Sequence, residues 1–320
     1  MPFNRRLLVC AAALFVTGAS LAQADYPNRP IKVIVPFPAG GVTDIGSRII
    51  LDRMSQSLNV PVVVDNRPGA GTKLGTGVAV KSAKDGYTLY MSNSSYAILP
   101  VIDPEAGYDA ERDLAPIGLG ATYGMAVVVN PALSAKTMGE LLTLAKQTPG
   151  KLAYGSAGMG SGSHFMGEHL KQLTGTNILH VPYKSTSLAV QDVAGGRVDL
   201  AFDGAVKPLV DAGKVRIIAV TGAVRDPRFP QVPTVAEAGL GDFTFESWLG
   251  LFAPTDTPER VIVRLNQSMN EALADPGVKQ RLAELGLTPG GGNPAFLKKQ
   301  VSADLVKYRK IAAETRIKLQ

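Results

Sequence analysis

The sequence predicts an α/β protein of two lobes, each built on a mostly parallel sheet flanked by helices. Three observations lead there. Short β-branched runs alternate with stretches of helical periodicity along nearly the whole chain, the pattern of successive βαβ units. At 320 residues the chain exceeds the size at which a single hydrophobic core stops growing, so it divides. Two glycine-rich turns, Pro36–Asp44 and Gly155–His164, each fall between a strand and a helix, one in each half of the chain.

The N-terminal segment stands apart. Arg5 and Arg6 precede an apolar stretch from Leu7 to about Val16, and Ala22-Gln23-Ala24 follows with the small-x-small pattern of a signal-peptidase site. Residues 1–24 therefore read as an export signal removed after about Ala24. Its apolar core is too short for a spanning helix, which needs about 20 residues. Val9 is too large to precede a lipidated cysteine at Cys10, and the Arg5-Arg6 pair leaves open the choice between the general and twin-arginine export routes. Cleavage removes the single cysteine, so no disulfide is expected and the 45% hydrophobic content must hold the fold by burial alone.

Strands are predicted at Ile31–Val35, Val62–Val64, Tyr87–Met91, Met125–Val129, Val198–Phe202 and Val215–Val220. After the first, Ile45, Ile49, Met54 and Leu58 recur at helical spacing, with Thr43 and Asp44 supplying capping chemistry. Further helices are expected at Thr137–Lys146, Ser163–Leu173 and Pro258–Leu273, and the C-terminal part is largely helical. Crossings between lobes are placed near Leu119–Tyr123 and Val220–Arg225. This makes residues 25–121 the first part of lobe 1, 122–222 lobe 2, and 223–320 the second part of lobe 1. No long Pro/Gly linker is present, which favours short crossovers over a flexible tether.

Charge narrows the function. The 33 Lys and Arg against 27 Asp and Glu give a net +6, of which Arg5 and Arg6 leave with the signal. The remaining excess is scattered, as at Lys298, Lys299, Lys307, Arg309 and Lys310. Nucleic-acid binding calls for clustered basic residues with stacking aromatics, so no nucleic-acid partner is expected. A mild positive balance weakly favours anions.

The two turns carry the chemistry. In PFPAGGVTD the glycines let backbone approach a ligand, and the unpaired N–H groups of the following helix favour an anion. In GSAGMGSGSH, backbone amides and the hydroxyls of Ser156, Ser161 and Ser163 are placed to ring a carboxylate. One such turn is ordinary strand-to-helix geometry; two, one per lobe, suggest a clamp. Neither matches G-x-G-x-x-G, and no Gly-Lys pair precedes Ser or Thr, so no nucleotide cofactor is expected. The G-x-S-x-G elbow is absent too, and His164 reads as capping or orienting its turn rather than as a base. His164, His169 and His180 lack metal-ligand spacing, so no metal is expected.

PFPAGGVTD, NRPGAGTKLG (Asn66–Gly75), the Gly/Ser turn before Gly167 and Glu168, VPYK (Val181–Lys184), GGRVDLAF (Gly195–Phe202), VPTVAEAGL (Val232–Leu240) and WLGLFAP (Trp248–Pro254) resemble, in that order, the Bug-type substrate-binding proteins of tripartite tricarboxylate transporters. The likeness runs from about Tyr26 through the C-terminal helices. It implies a type II flytrap receptor of the periplasm, not an enzyme, that needs no cofactor. Such a receptor captures a small organic anion (a di- or tricarboxylate, an aromatic carboxylate or an acidic amino acid) and delivers it to membrane permease subunits. A dicarboxylate is favoured. In such proteins the first turn surrounds one carboxylate with backbone amides and ordered waters, which points to Phe37, Ala39, Gly40, Gly41 and Thr43. The second turn points to Ser156, Ser161, Ser163 and His164, and Ser92, Asn93, Ser94, Lys184 and Asp203 are implied to line the cleft. Asp203 is also the acid placed to accept an ammonium group.

The chain departs from the family pattern at Ser185 and at Leu188-Ala189. Ser185 reads as a helix cap ahead of a ligand hydroxyl. With no arginine in either turn, charge neutralisation would rest on amide dipoles, hydroxyls and Lys73 or Lys184. A hydrolase using the Ser/His-rich turn and a sensor signalling to a periplasmic domain are the alternatives.

Overall fold

The computed structural model describes residues 26–315, and the expected export signal lies outside the described residues. Runs rich in Val, Ile and Leu, whose branching suits the pleated surface of a sheet, build two sheets. The first contains β1 (Ile31–Val35), β2 (Val62–Asn66), β3 (Thr88–Ser92), β4 (Leu114–Gly124), β10 (Glu246–Pro254) and β11 (Thr288–Pro289), in the order β11-β4-β10-β3-β1-β2. The second contains β5 (Ala126–Val129), β6 (Ala153–Ser156), β7 (Leu179–Pro182), β8 (Leu200–Asp203) and β9 (Arg216–Val220), in the order β7-β6-β8-β5-β9.

In both sheets most strands run in one sense, with antiparallel strands inserted among them. The runs β2-β1-β3 and β7-β6-β8 are parallel, as helical crossovers demand. The strands that arrive from the other lobe, β10 and β5, run in the opposite sense. Thus β10 is antiparallel to β3 and β4, and β5 is antiparallel to β8 and β9.

The helices are α1 (Val42–Leu58), α2 (Lys73–Val80), α3 (Ser95–Ile102), α4 (Met138–Gln147), α5 (Gly162–Thr174), α6 (Thr186–Ala194), α7 (Lys207–Asp211), α8 (Glu259–Ala274), α9 (Pro276–Glu284) and α10 (Pro294–Thr315). α1 follows β1 and turns Ile49, Ile50, Met54 and Leu58 inward. α10 ties the two halves together. Asp304 accepts a 2.7 Å hydrogen bond from the buried Trp248 indole of β10, while Tyr308 packs edge-on against Phe165 of α5, with ring centroids 5.2 Å apart. Among the described residues no helix is long and apolar enough to cross a membrane.

Where the chain passes between sheets, three segments are tied together. The Thr221 amide donates to the Met125 carbonyl at 2.8 Å, and the Thr221 hydroxyl accepts from the Met125 amide at 2.9 Å. That hydroxyl donates to the Phe245 carbonyl at 2.7 Å, while the Phe245 amide donates to the Thr221 carbonyl at 2.8 Å. Beside them a Cβ on Gly124 would sit 2.8 Å from the Gly222 nitrogen, so backbone meets backbone there. Phe229 and Val232 pack in the second sheet's core, and the Val235 amide donates to the Val220 carbonyl at 2.8 Å.

Candidate functional site

Four helices begin at one point between the sheets. The first turns of α1 (Val42, Thr43), α3 (Ser95), α5 (Gly162, Ser163) and α6 (Thr186) line a polar nest of about 50 Å³, together with Gly41, Asn93, Ser94, Ser161, Ser185, Tyr123 and Met125. Its walls carry no ionisable acid or base apart from the Tyr123 phenol. The start of α1 has no side-chain cap, so its first N–H groups are available to a bound group, whereas at the start of α3 the Ser95 amide already donates to the Asn93 side chain at 2.9 Å and the Tyr96 amide to the Asn93 carbonyl at 2.9 Å. Each helix start contributes about 0.3–1 kcal/mol toward an anion, more when partly buried.

The first turn is prepared from behind. Asp44 is buried, accepts from the Gly40 amide at 3.0 Å and from Asn66 at 2.9 Å, and pairs with Arg48 at 3.1 Å. Burial opposes its ionisation, but the hydrogen bonds from Arg48, Asn66 and Gly40 outweigh burial and hold its pKa below the ordinary carboxylate value. Gly40, at φ +89°, thus spends its amide on Asp44, and Ala39 is exposed. Neither lines the nest. Gly41, Phe37 and Thr43 do, and the Thr43 hydroxyl accepts from the Asn93 amide group at 2.9 Å. Ser94 bonds Ser247 at 2.8 Å, whereas Ser92 lies fully buried in β3, off the nest.

In the second turn Ser161 caps α5 by accepting from the His164 amide and donates to the Gly158 carbonyl at 2.7 Å. Ser163 accepts from the Ala157 amide at 2.9 Å. Behind them His164 accepts from the Gly160 amide at 3.3 Å, and its ring lies 4.5 Å from that of His180, which bonds Ser156 at 2.6 Å. Burial lowers both imidazole pKa values, with the neighbouring His164 pressing His180 further, to about 4. Ser156 and His164 therefore brace the turn from beneath and do not line the nest. A hydrolase would need an exposed nucleophile beside its base; Ser156, which bonds the half-buried His180, is itself fully buried, and neither Ser161 nor Ser163 bonds a histidine ring.

Asp203 ends β8 beneath Thr186. Burial raises its pKa against hydrogen bonds from Thr186 and the Ala205 and Gly204 amides, and it does not reach the nest. Lys184 is exposed and lines an adjoining chamber of about 410 Å³; Lys73 is tied to Asp103 at 3.3 Å. Ser185 caps α6 through the Leu188 amide and still lines the nest. Sequence reasoning missed Ser95, Tyr123, Met125 and Thr186. Ser95 accepts from the Gly162 amide at 3.1 Å, a hydrogen bond from one half of the chain to the other. The Tyr123 hydroxyl is buried with no hydrogen-bond partner among the described residues, and burial raises its pKa.

A larger cavity, about 680 Å³, lies elsewhere, against β9 and the start of α4. There Thr137 and Glu140 cap the helix reciprocally, Thr137 taking the Glu140 amide and the Glu140 carboxylate the Lys136 amide.

The family model for the tripartite tricarboxylate transporter family receptor matches residues 47–316. The chain belongs to this family. Protein BugT of Bordetella pertussis is 35% identical over 325 residues, covering 99% of this chain and 100% of that one. A solved structure described as a periplasmic transporter superposes with a TM-score of 0.89 at 38% identity, over 92% of this chain and 100% of the other. Rpa4515 of R. palustris with adipate gives 0.88 at 33%, over 92% and 99%. MatC of Rhodopseudomonas palustris with bound malate gives 0.84 at 29%, over 89% and 99%. The receptor is thus a two-lobed periplasmic solute-binding protein of the Bug type, and the nest with its adjoining chamber lies between its lobes.

Proposed function

We propose that this receptor captures a small organic carboxylate, most readily a dicarboxylate, in the nest between its lobes and delivers it to membrane permease subunits of a tripartite tricarboxylate transporter, with no chemistry of its own. The convergence of four helix starts, that of α1 with its first amides free, on a nest without a basic side chain supports the reading. Adipate and malate in two structural neighbours fit it. We assign one lobe to residues 26–124 with 246–315 and the other to 125–245, following the sheets and the later return crossing. Of the sequence-proposed residues, Phe37, Gly41, Thr43, Asn93, Ser94, Ser161 and Ser163 form the first contact layer with Ser95, Tyr123 and Thr186. Gly40, Ser156, His164 and Asp203 hold that layer in place, and Lys184 faces the chamber.

Closure requires that ligand bind the closed form better than the open one. A ligand touching α1 and α3 from one side and α5 and α6 from the other does so only when closed. A handful of charge-assisted hydrogen bonds at roughly 1.5–3 kcal/mol each reaches the roughly 8 kcal/mol of a micromolar complex. The test is the melting temperature of refolded, ligand-free protein against mono-, di- and tricarboxylates, aromatic acids, amino acids and nucleotides. Ligand at a hundred times its Kd adds about 2.7 kcal/mol of stability. A shift with carboxylates is expected; a shift with nucleotides alone would overturn the proposal.

A further inference from the structure

The nest and the chamber beside it differ in size and in chemistry. At about 50 Å³ the nest admits a group of a few atoms, the dimension of one carboxylate rather than a whole acid. The chamber, about 410 Å³, shares Phe37, Pro38, Ala157 and Ser161 with the nest, so a ligand anchored in the nest continues into it. Its walls are mostly apolar, led by Pro36, Phe37, Pro38, Pro68 and Met159; of its two aliphatic hydroxyl residues, Thr72 has its oxygen buried away from the space and Ser161 donates to the Gly158 carbonyl. Tyr183 contributes ring rather than hydroxyl, because the hydroxyl is engaged 2.8 Å from Asp192. The one charged residue in the lining is Lys184, whose ammonium has no ion-pair or hydrogen-bond partner among the described residues.

A hydroxylated or branched acid such as malate or citrate would strip water from its polar groups against proline, phenylalanine and methionine without regaining hydrogen bonds. A hydrocarbon or aryl spacer gains by the same burial, and a terminal anion meets the unpaired Lys184. We infer that the preferred ligand is a dicarboxylate with an apolar spacer, one carboxylate in the four-helix nest, the spacer in the chamber, and the second carboxylate at Lys184. This inference rests on the carboxylate-receptor reading above. Lys184 acts as a specificity residue, selecting diacids over monoacids of the same body.

Isothermal titration of the ligand-free receptor tests it, with butanedioate, malate, citrate, octanedioate, benzoate and benzene-1,4-dicarboxylate as probes. Each buried methylene strengthens binding about three- to fourfold, so octanedioate and benzene-1,4-dicarboxylate should bind at least about tenfold tighter than butanedioate, malate and citrate. Lys184→Met, an exposed position where folding is not at stake, should cost benzene-1,4-dicarboxylate about fivefold and leave benzoate unchanged. Short or hydroxylated acids binding tightest would overturn the inference while leaving the carboxylate reading standing. So would benzoate binding as tightly as the aryl diacid, or a Lys184→Met variant that still separates them. Failure of every carboxylate to bind would overturn both.

Discussion

Replacing Gly41 with Asp asks whether the start of α1 is the anion site. Gly41 is the N-cap residue at φ −82° and ψ 166°, an extended conformation any residue adopts, and nothing lies within 4 Å of where its Cβ would be. Asp therefore fits without strain. At an N-cap its carboxylate accepts from the second or third amide of the helix, and Asp exceeds Gly there by only a few tenths of a kcal/mol. Ligand-free melting should accordingly hold or rise slightly. Binding should collapse, because the variant's own carboxylate occupies the amides the ligand would use and repels a second anion. Loss of two charge-assisted hydrogen bonds at roughly 1.5–3 kcal/mol each corresponds to a weakening of about a hundredfold or more. Titration calorimetry on a variant with wild-type melting reads the outcome, with Gly41→Ala as the neutral control. A folded Gly41→Asp protein of undiminished affinity would place the anion elsewhere.

Three further perturbations probe other parts of the site. Gly71, at φ +63°, lies where a Cβ would come 2.5 Å from the Met159 carbonyl oxygen, in the opposite lobe as we assign it. Gly71→Ala should weaken ligand by about tenfold through a roughly 1–3 kcal/mol overpacking penalty confined to the closed form, beyond any loss of melting temperature; intact affinity would show that the contact does not report closure. Tyr123→Phe removes a buried, unpartnered hydroxyl, so ligand-free stability should not fall while affinity drops about tenfold if the phenol donates to a carboxylate, and unchanged binding would exclude that role. For pH, the imidazole of His180 titrates near 4 in the folded chain and near its ordinary 6.5 when unfolded. The unfolded state takes up the proton first, so stability should decline as pH falls from about 6.5 toward 4 and level off below. Urea midpoints of His180→Gln should show a shallower slope across that window; an unaltered slope would assign the effect to other groups.

The elements that were legible in the sequence are those with a local signature. β1, α1 and the two glycine turns carry period, cap and punctuation within one short window. β10 was passed over because its residues are buried on both faces, so it lacks the alternation that marks a half-exposed strand. β4 contains Pro116, Gly118 and Gly120, which read as loop; Gly120 instead admits α8, since a Cβ there would come 3.1 Å from the Met269 methyl. β6 (Ala-Tyr-Gly-Ser) and β7 (Leu-His-Val-Pro) lack the β-branched run that marks β5, a strand of the same length. At the site, the glycines and serines of the turns announced themselves, but Tyr123, Met125 and Thr186 reach the nest only because the crossing and α6 bring them there. Gly40 and His164 sat in the right motifs and proved to be braces, a distinction that depends on where Asp44 and His180 fall in space.

The joining of the two crossings through Thr221 has a mechanical meaning. Each passage alone would be a flexible string, and two independent strings would let the lobes slide, twist and part in any direction. Hydrogen bonds from Thr221 to both Met125 and Phe245 bind them into one flat flexure, and the Gly124–Gly222 approach leaves no gap for slippage between its plies. Such a flexure bends readily about a single line and resists shear. On the proposed function, two jaws joined in this way would meet in the same register at each closure, and the angle between them would be the signal that distinguishes the loaded receptor.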